Sequence, residues 1–322
     1  MKLNLRFVVL KLLYISILLT GCQAAPMPEV TDTPEPTAEV PVSTLPAGVS
    51  IEPGTGRSFY DQVYCQIDGV DLIFDLHYPK QGEGPFPLII FVHGGAWQLG
   101  DRRGGTGVVF TDALLEAGYA FAGINYRLAP EYTFPAMIED VKCAVRFFRA
   151  NADLLNLDPN RFAALGGSAG GHLVSLLGVT ADQDLWESAG QYQGVSSRIS
   201  LVVDMFGAAD LRALADPEYR SNWGDVFGDA VYDPEAMWEI SPLAYVTSEA
   251  PPFLILQGNL DDSALYRQSQ ELTAALEEVG VPVELIIVYG GGHGTELFQE
   301  GATPDQASLT ESLLDFLGMY LK

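Results

Sequence analysis

The sequence predicts an α/β fold, with a mainly parallel central sheet of about eight strands and helices on both faces. Two observations support this prediction. Short apolar runs alternate along the chain with longer helical patterns, which is typical of parallel strands joined by crossover helices. The run at residues 88–92 is apolar at every position, as expected for a strand that is covered on both sides.

The predicted elements follow in a regular order. Residues 59–67 and 70–78 are expected to pair as strands around the turn Asp68-Gly69. Pro135 stands at the start of a helical pattern whose apolar residues are spaced by three and four. The other predicted strands are residues 88–92, 119–125, 161–165, 199–205, 252–257 and 283–289, and the predicted helices are 108–117, 135–150, 168–178, 263–279 and 305–321.

Residues 207–251 break this alternation. The segment is rich in Pro, Trp and Asp and lies between two predicted strands. We interpret it as an excursion on the C-terminal side of the sheet, where folds of this kind bind ligands. Trp223 and Trp238 lie in this segment. They could form a wall that binds a sugar or an aromatic group, and the alternative is that both simply pack on the surface.

The first 22 residues predict an exported protein. Lys2 and Arg6 precede an apolar stretch at residues 7–19, which is too short for a spanning helix of about 20 residues. The stretch ends in Leu19-Thr20-Gly21-Cys22, which resembles the lipobox of bacterial lipoproteins. We expect residues 1–21 to be a signal peptide and Cys22 to be lipidated at the outer face of the cell membrane. The alternative is an ordinary signal peptide cut slightly later.

Residues 22–50 are predicted to be a disordered linker. Six prolines fall between residues 23 and 50, and that stretch contains no aromatic residue, Lys or Arg. Such a composition cannot bury a core and favours an extended spacer. The folded domain is therefore expected to occupy residues 51–322.

Charge and cysteine content limit the partners and the compartment. The formal net charge of −25 predicts a surface that repels nucleic acid. Export permits a disulfide between Cys65 and Cys143. Cys143, however, falls within a helical pattern, and buried free thiols are common. We expect two unpaired core cysteines, with the disulfide as the alternative.

A candidate nucleophile lies at Gly166-Gly167-Ser168-Ala169-Gly170. This G-x-S-x-G pattern follows an apolar run and opens a helical one, which is the strand–turn–helix context that the motif requires. Gly166 and Gly170 remove the Cβ atoms that would clash in so tight a turn. Ser168 would then occupy a strained backbone conformation, with Oγ exposed at a helix N-terminus.

A serine nucleophile also needs donors for the oxyanion. His93-Gly94-Gly95-Ala96-Trp97 directly follows the strand at residues 88–92 and matches an HGG-type oxyanion loop. The expected donors are the backbone amides of Gly94 or Gly95 together with that of Ala169. We expect His93 to order the loop rather than transfer protons, and Trp97 to line the substrate pocket.

The acid and the base are expected after the last two strands. Asp261 and Asp262 both follow an apolar strand, and His293 lies in a Gly-rich loop after the next. His77 lies in an early strand, too far from the predicted site to serve as the base. His172 is expected to pack against the oxyanion loop. The chain order Ser168, acid, His293 is one of the known triad orders.

The motifs together resemble a known family. His93-Gly94-Gly95-Ala96, Tyr126-Arg127-Leu128-Ala129-Pro130-Glu131, Phe134-Pro135-Ala136 and the Ser168 motif are similar to those of hormone-sensitive-lipase-like esterases of the α/β-hydrolase fold, and in style to their BD-FAE-like branch. Asp261 takes the place of the aspartate in the related pattern H-G-x-x-D-x-x-V-P. Here Gln257 replaces its His, and Ala264-Leu265 replaces Val-Pro.

The resemblance implies a serine carboxylesterase for short-chain, acetyl-like esters, including those of plant polysaccharides. Gly167 stands where many hormone-sensitive-lipase-like enzymes carry Asp, which favours small acyl groups over long chains. No metal or other cofactor is expected. The alternatives are a peptidase of the prolyl-oligopeptidase type, although its usual propeller is absent, and a non-catalytic glycan-binding surface lipoprotein.

Overall fold

A computed structural model describes residues 49, 51–181, 183–217 and 220–321. The predicted signal peptide, Cys22 and nearly all of the predicted linker lie outside these residues. No described helix is long and apolar enough to cross a membrane. The predicted domain from residue 51 onward is described almost throughout.

Eight strands form one sheet, in the order β1-β2-β4-β3-β5-β6-β7-β8. β1 and β2 pair antiparallel, β2 pairs antiparallel with β4, and all later neighbours are parallel. The mainly parallel sheet of the sequence analysis is therefore confirmed. The strands are β1 (Ser58–Ile67), β2 (Val70–His77), β3 (Phe86–Val92), β4 (Ala120–Ile124), β5 (Leu157–Gly167), β6 (Leu201–Met205), β7 (Phe253–Gly258) and β8 (Val283–Val288).

Helices pack on both faces because the central strands are apolar on both sides. Leu88 and Ile90 of β3 belong to one buried cluster, whereas Ile89 and Phe91 belong to a second cluster on the opposite face. The helices are α1 (Thr111–Glu116), α2 (Ala136–Ala150), α3 (Ala169–Val179), α4 (Gly224–Phe227), α5 (Pro234–Trp238), α6 (Ser263–Glu278) and α7 (Gln306–Tyr320).

Most predicted elements agree with the observed ones to within two residues, and two differ more. The helix expected at residues 108–117 is divided into a 3-10 turn at Thr106–Phe110 and α1. β5 begins at Leu157, before the predicted start at residue 161. Its early part is less apolar because Asp158, Asn160 and Arg161 lie toward the edge of the core, and the apolar pattern therefore missed it.

The excursion between β6 and β7 is a series of short turns. It contains α4, α5 and 3-10 turns at Leu211–Ala215, Arg220–Asn222, Gly228–Tyr232 and Pro242–Tyr245. Hydrogen bonds join it to the rest of the domain. Among them, the Phe134 N–H donates to the Val226 carbonyl at 2.8 Å, and His172 Nε2 donates to the Ile240 carbonyl at 2.9 Å.

The expectation of two unpaired cysteines is wrong. Cys65 on β1 and Cys143 on α2 form a disulfide, with their Cα atoms 6.5 Å apart. Both residues face the core because α2 packs across the first hairpin. The two positions are 78 residues apart in the chain, and the helical pattern around Cys143 does not reveal which strand that helix covers.

Candidate active site

Ser168 lies in the turn between β5 and α3. Its φ of 57° and ψ of −120° are strained for a residue with a side chain. A Cβ on Gly166 would overlap the Gly170 carbonyl oxygen, and one on Gly170 would overlap the Val92 carbonyl oxygen. The two glycines therefore permit the close approach that exposes Ser168 Oγ, as the sequence predicts.

Ser168, His293 and Asp261 form a hydrogen-bonded chain. Ser168 Oγ lies 2.9 Å from His293 Nε2, and His293 Nδ1 lies 2.9 Å and 3.1 Å from the two carboxylate oxygens of Asp261. Because an ionised carboxylate only accepts, Nδ1 carries the proton and Nε2 accepts from the serine hydroxyl. The side chain of Asp261 is 2% exposed, whereas that of His293 is 40% exposed. The site thus combines a shielded acid with an imidazole that substrate can reach.

Backbone bonds between neighbouring loops hold Asp261 against His293. The Leu260 N–H donates to the Gly291 carbonyl at 2.9 Å, and the Asn259 N–H donates to the Val288 carbonyl at 3.0 Å. A Cβ on Gly258 would overlap the backbone of Gly291, so the loops after β7 and β8 touch. The glycines of the His293 loop therefore serve close packing as well as flexibility.

Gln257 and the backbone of Asp262 hold the Asp261 carboxylate. Gln257 Nε2 donates to Asp261 Oδ2 at 3.0 Å, and the Asp262 N–H donates to Oδ1 at 2.6 Å. Burial acts to raise the pKa of Asp261, but the hydrogen bonds and charge of His293, with those of Gln257 and Asp262, outweigh it and lower the pKa. Asp261 therefore stays ionised beside the imidazole.

Gln257 is a site residue that the sequence analysis noted only as a departure from the related pattern. Ser269 Oγ donates to Gln257 Oε1 at 2.7 Å, which fixes the amide and directs Nε2 to Asp261. Phe206 was also missed. Its ring packs on His293 with the ring centroids 4.7 Å apart. An aromatic residue one position beyond β6 gives no signal of this contact in the sequence.

The Gly94 loop lies directly against the nucleophile. A Cβ on Gly94 would lie 2.7 Å from the Gly167 carbonyl oxygen and 3.3 Å from Ser168 Cβ. Gly95 has a φ of 113°, which favours glycine. In the described part of the chain, no group accepts a hydrogen bond from the backbone N–H of Gly94, Gly95 or Ala169. Ala169 begins α3, where N–H groups have no intrahelical partner.

His93 and His172 are buried and take no part in the Ser168 chain. His93 Nδ1 donates to the Gly94 carbonyl at 2.7 Å, and the ring stacks on Tyr126. Burial lowers the pKa of His93, and burial lowers the pKa of His172 to about 4. Both rings are therefore neutral and structural, as the sequence analysis expects. His77 hydrogen-bonds to Ser58 at 2.8 Å, on an outer strand.

A cavity of about 580 Å³ opens above Ser168 and His293. Trp97 and Trp223 both line it and meet edge to face, with ring centroids 5.8 Å apart. Trp238 does not line it; the guanidinium of Arg212 lies 4.1 Å from the centre of that ring. Much of the wall comes from the excursion, namely Ala208, Asp210, Leu211, Ala213, Leu214 and Asn222.

The comparison with protein families agrees with this geometry. The BD-FAE family model matches residues 74–276, which include Ser168 and Asp261. The chain belongs to the BD-FAE family. The match covers more than half of the chain and includes the Gly94 loop and the excursion. The resemblance stated from the sequence motifs is confirmed.

Named relatives of this BD-FAE protein are esterases. It is 34% identical to esterase LipC of Mycobacterium tuberculosis over 226 residues, which cover 68% of this chain and 55% of LipC. The chain spans about half the length of the curated relatives it matches. A truncated carbohydrate esterase from gut microbiota is 27% identical with a TM-score of 0.70, covering 83% of this chain and 98% of that structure.

A second solved structure carries a more specific name. It is an acetyl ester-xyloside bifunctional hydrolase from Caldicellulosiruptor lactoaceticus, 27% identical with a TM-score of 0.67. The match covers 84% of this chain and 98% of that structure. These likenesses agree with the α/β-hydrolase fold predicted from the sequence. Among the residues that the structure describes, no group of three or more His, Cys, Asp or Glu side chains could hold a metal ion.

Proposed function

We propose that this BD-FAE protein is a serine carboxylesterase that hydrolyses short-chain, acetyl-like esters, including those of plant polysaccharides. The observation that carries the proposal is the chain of hydrogen bonds from Ser168 Oγ through His293 to the buried Asp261. The esterase relatives support the reaction class, and the names of the two carbohydrate-esterase neighbours support the substrate class.

The proposed reaction is acyl transfer through Ser168. His293 Nε2 takes the proton of Ser168 Oγ as the oxygen attacks the ester carbonyl, and Asp261 stabilises the imidazolium that forms. The N–H groups of Gly94 or Gly95 and of Ala169 bind the oxyanion, each contributing about 10²–10³ in rate.

Three further proton transfers complete the cycle. The tetrahedral intermediate collapses, the C–O bond to the alcohol breaks, and His293 returns the proton to the departing alcohol. Water then attacks the acyl carbon while His293 takes its proton, the bond from that carbon to Ser168 Oγ breaks, and His293 gives the proton to Oγ, which releases the acid and restores Ser168.

Phenyl acetate hydrolysis tests the proposal. The purified protein should hydrolyse it, and Ser168→Ala should lower kcat by about 10⁶ because the nucleophile is removed. A fluorophosphonate probe should label the unmodified protein and not the variant, since only an activated serine reacts. Ser175→Ala is the matched control and should remain labelled, because Ser175 lies further along α3 and its hydroxyl donates to Asp204 rather than to His293. Hydrolysis that survives Ser168→Ala would contradict the proposal.

We also propose that the protein is exported and anchored through a lipid on Cys22. The apolar stretch before Cys22 and the Pro-rich residues 23–50 support this location. The Cys65–Cys143 disulfide is also consistent with an oxidising compartment. Expression in a bacterial host should place the protein in the membrane fraction, and Cys22→Ala should abolish its labelling by a radioactive fatty acid. Equal labelling of the two forms would refute the anchor.

A further inference from the structure

Gln268 of α6 has the oxygen of its amide fixed by two backbone N–H groups. Its Oε1 accepts from the Ala209 N–H at 2.9 Å and from the Asp210 N–H at 3.0 Å. Only the amide oxygen can accept from two N–H donors, so these bonds establish which end of the amide is Nε2. The side chain is 5% exposed.

The remaining end of this amide belongs to the wall of the active-site cavity. Gln268 lines the same cavity as Ser168 and His293. Nε2 is not one of the described side-chain atoms that are shut off from solvent without a hydrogen-bond partner. An amide N–H₂ group on a cavity wall can donate to a ligand oxygen in place of water.

The chemistry around the cavity favours an uncharged ligand at this point. Asp210 and Asp262 line the cavity, and none of the lining residues that the structure describes is Lys or Arg. A carboxylate on the substrate would meet these two acidic side chains, of which Asp210 also pairs with Arg212 at 2.6 Å. The tryptophan wall and the amide of Gln268 suit a hydroxyl or ether oxygen on an apolar ring.

The volume indicates which part of an ester meets Gln268. An acetyl group has two carbons and fills only a small part of a cavity of about 580 Å³. The remainder has to accommodate the alcohol part. We propose that Gln268 is a specificity-determining residue that donates from Nε2 to an uncharged oxygen, of the hydroxyl or ether type, on the alcohol part of the ester. This inference rests on the proposed carboxylesterase function.

Two acetate esters separate this role from a structural one. Phenyl acetate has no hydroxyl on its alcohol part, whereas a mono-O-acetylated methyl xyloside has two. Both esters form the same acetyl-enzyme, so a difference between their kcat/KM values reports the alcohol part alone.

Gln268→Glu keeps an oxygen for the Ala209 and Asp210 N–H groups but replaces the donor by an acceptor. Its kcat/KM for the xyloside should fall about tenfold, while that for phenyl acetate should change by less than about twofold. Gln268→Met removes the donor without adding charge. It should likewise lower kcat/KM for the xyloside more than kcat/KM for phenyl acetate. Gln270→Glu, an exposed residue on the same helix, adds the same charge and should change neither value.

Three results would overturn the assignment. These are an equal loss on both esters, no loss on the xyloside, or an unmodified protein that cleaves phenyl acetate but not the xyloside. Absence of Ser168-dependent cleavage of phenyl acetate would instead overturn the proposed function itself. Failure of the Gln268 assignment is therefore distinguishable from failure of the proposed esterase function.

Discussion

The strand-end loops and the excursion between β6 and β7 contribute to the same cavity in different ways. The loops that carry Ser168, Asp261 and His293 begin where parallel strands of the sheet end. Close glycine contacts and bonds between neighbouring loops hold them in place. The excursion consists of short helices and 3-10 turns, and it forms a large part of the cavity wall.

The difference separates chemistry from selectivity. A proton relay needs atoms held within a few tenths of an ångström, and strand ends backed by a buried sheet provide that precision. The excursion does not continue a strand, and it is joined to α6 by the bonds from Ala209 and Asp210 to Gln268. We therefore expect substitutions in the strand-end loops to lower kcat, and substitutions in the excursion to act mainly through KM.

The largest expected effect after loss of Ser168 is at the shielded acid. Asp261→Asn should lower kcat for phenyl acetate by about 10⁴, because the uncharged amide no longer holds the proton on His293 Nδ1 or stabilises the imidazolium. Asp262→Asn should lower kcat by less than about tenfold, because Asp262 reaches Asp261 through its backbone N–H. Equal losses in the two variants would remove the distinction between Asp261 and its neighbour.

The next effect tests the oxyanion loop. Gly94→Ala should lower kcat by about 10²–10³, since its Cβ would press on the Gly167 carbonyl and Ser168 and displace a donor. Gly104→Ala is the matched control, because its Cβ would meet no atom closer than 3.9 Å. Steady-state kinetics on phenyl acetate, with thermal unfolding of both variants, measures the difference. A normal kcat in Gly94→Ala would show that this loop does not bind the oxyanion.

The sequence predicted the positions of the reactive groups because they follow strands. An apolar run that ends in a glycine-rich motif gives both the strand and the residue at its tip, as for Ser168 and His293. Parallel strands then bring their C-terminal ends to one edge. The prediction that these groups meet did not require the order of β6, β7 and β8 within the sheet, because each motif lies at the end of its own strand.

Contacts between distant segments could not be predicted in this way. The bond from Gln257 to Asp261 depends on a rotamer that Ser269 fixes, and the packing of Phe206 on His293 depends on the sheet order. The Cys65–Cys143 disulfide depends on which strand α2 covers. Each is a property of the three-dimensional arrangement, for which a local pattern of hydrophobic residues carries no signal.

The two tryptophans of the excursion provide the last and smallest test. Trp223 lines the cavity and meets Trp97, whereas Trp238 packs with Arg212 away from it. Trp223→Ala should raise KM for an acetylated methyl xyloside about tenfold with little change in kcat, because it removes a binding wall and leaves the Ser168 relay in place.

Trp238→Ala is the matched control, since it removes the same side chain from the same segment. It should leave KM for the xyloside within about twofold of the unmodified protein. A fall in kcat in Trp223→Ala as large as the rise in KM would contradict the separation of chemistry from selectivity, because the excursion would then help to position the reacting groups. A change confined to KM would locate the alcohol part of the ester against Trp223, on the cavity wall that the excursion forms.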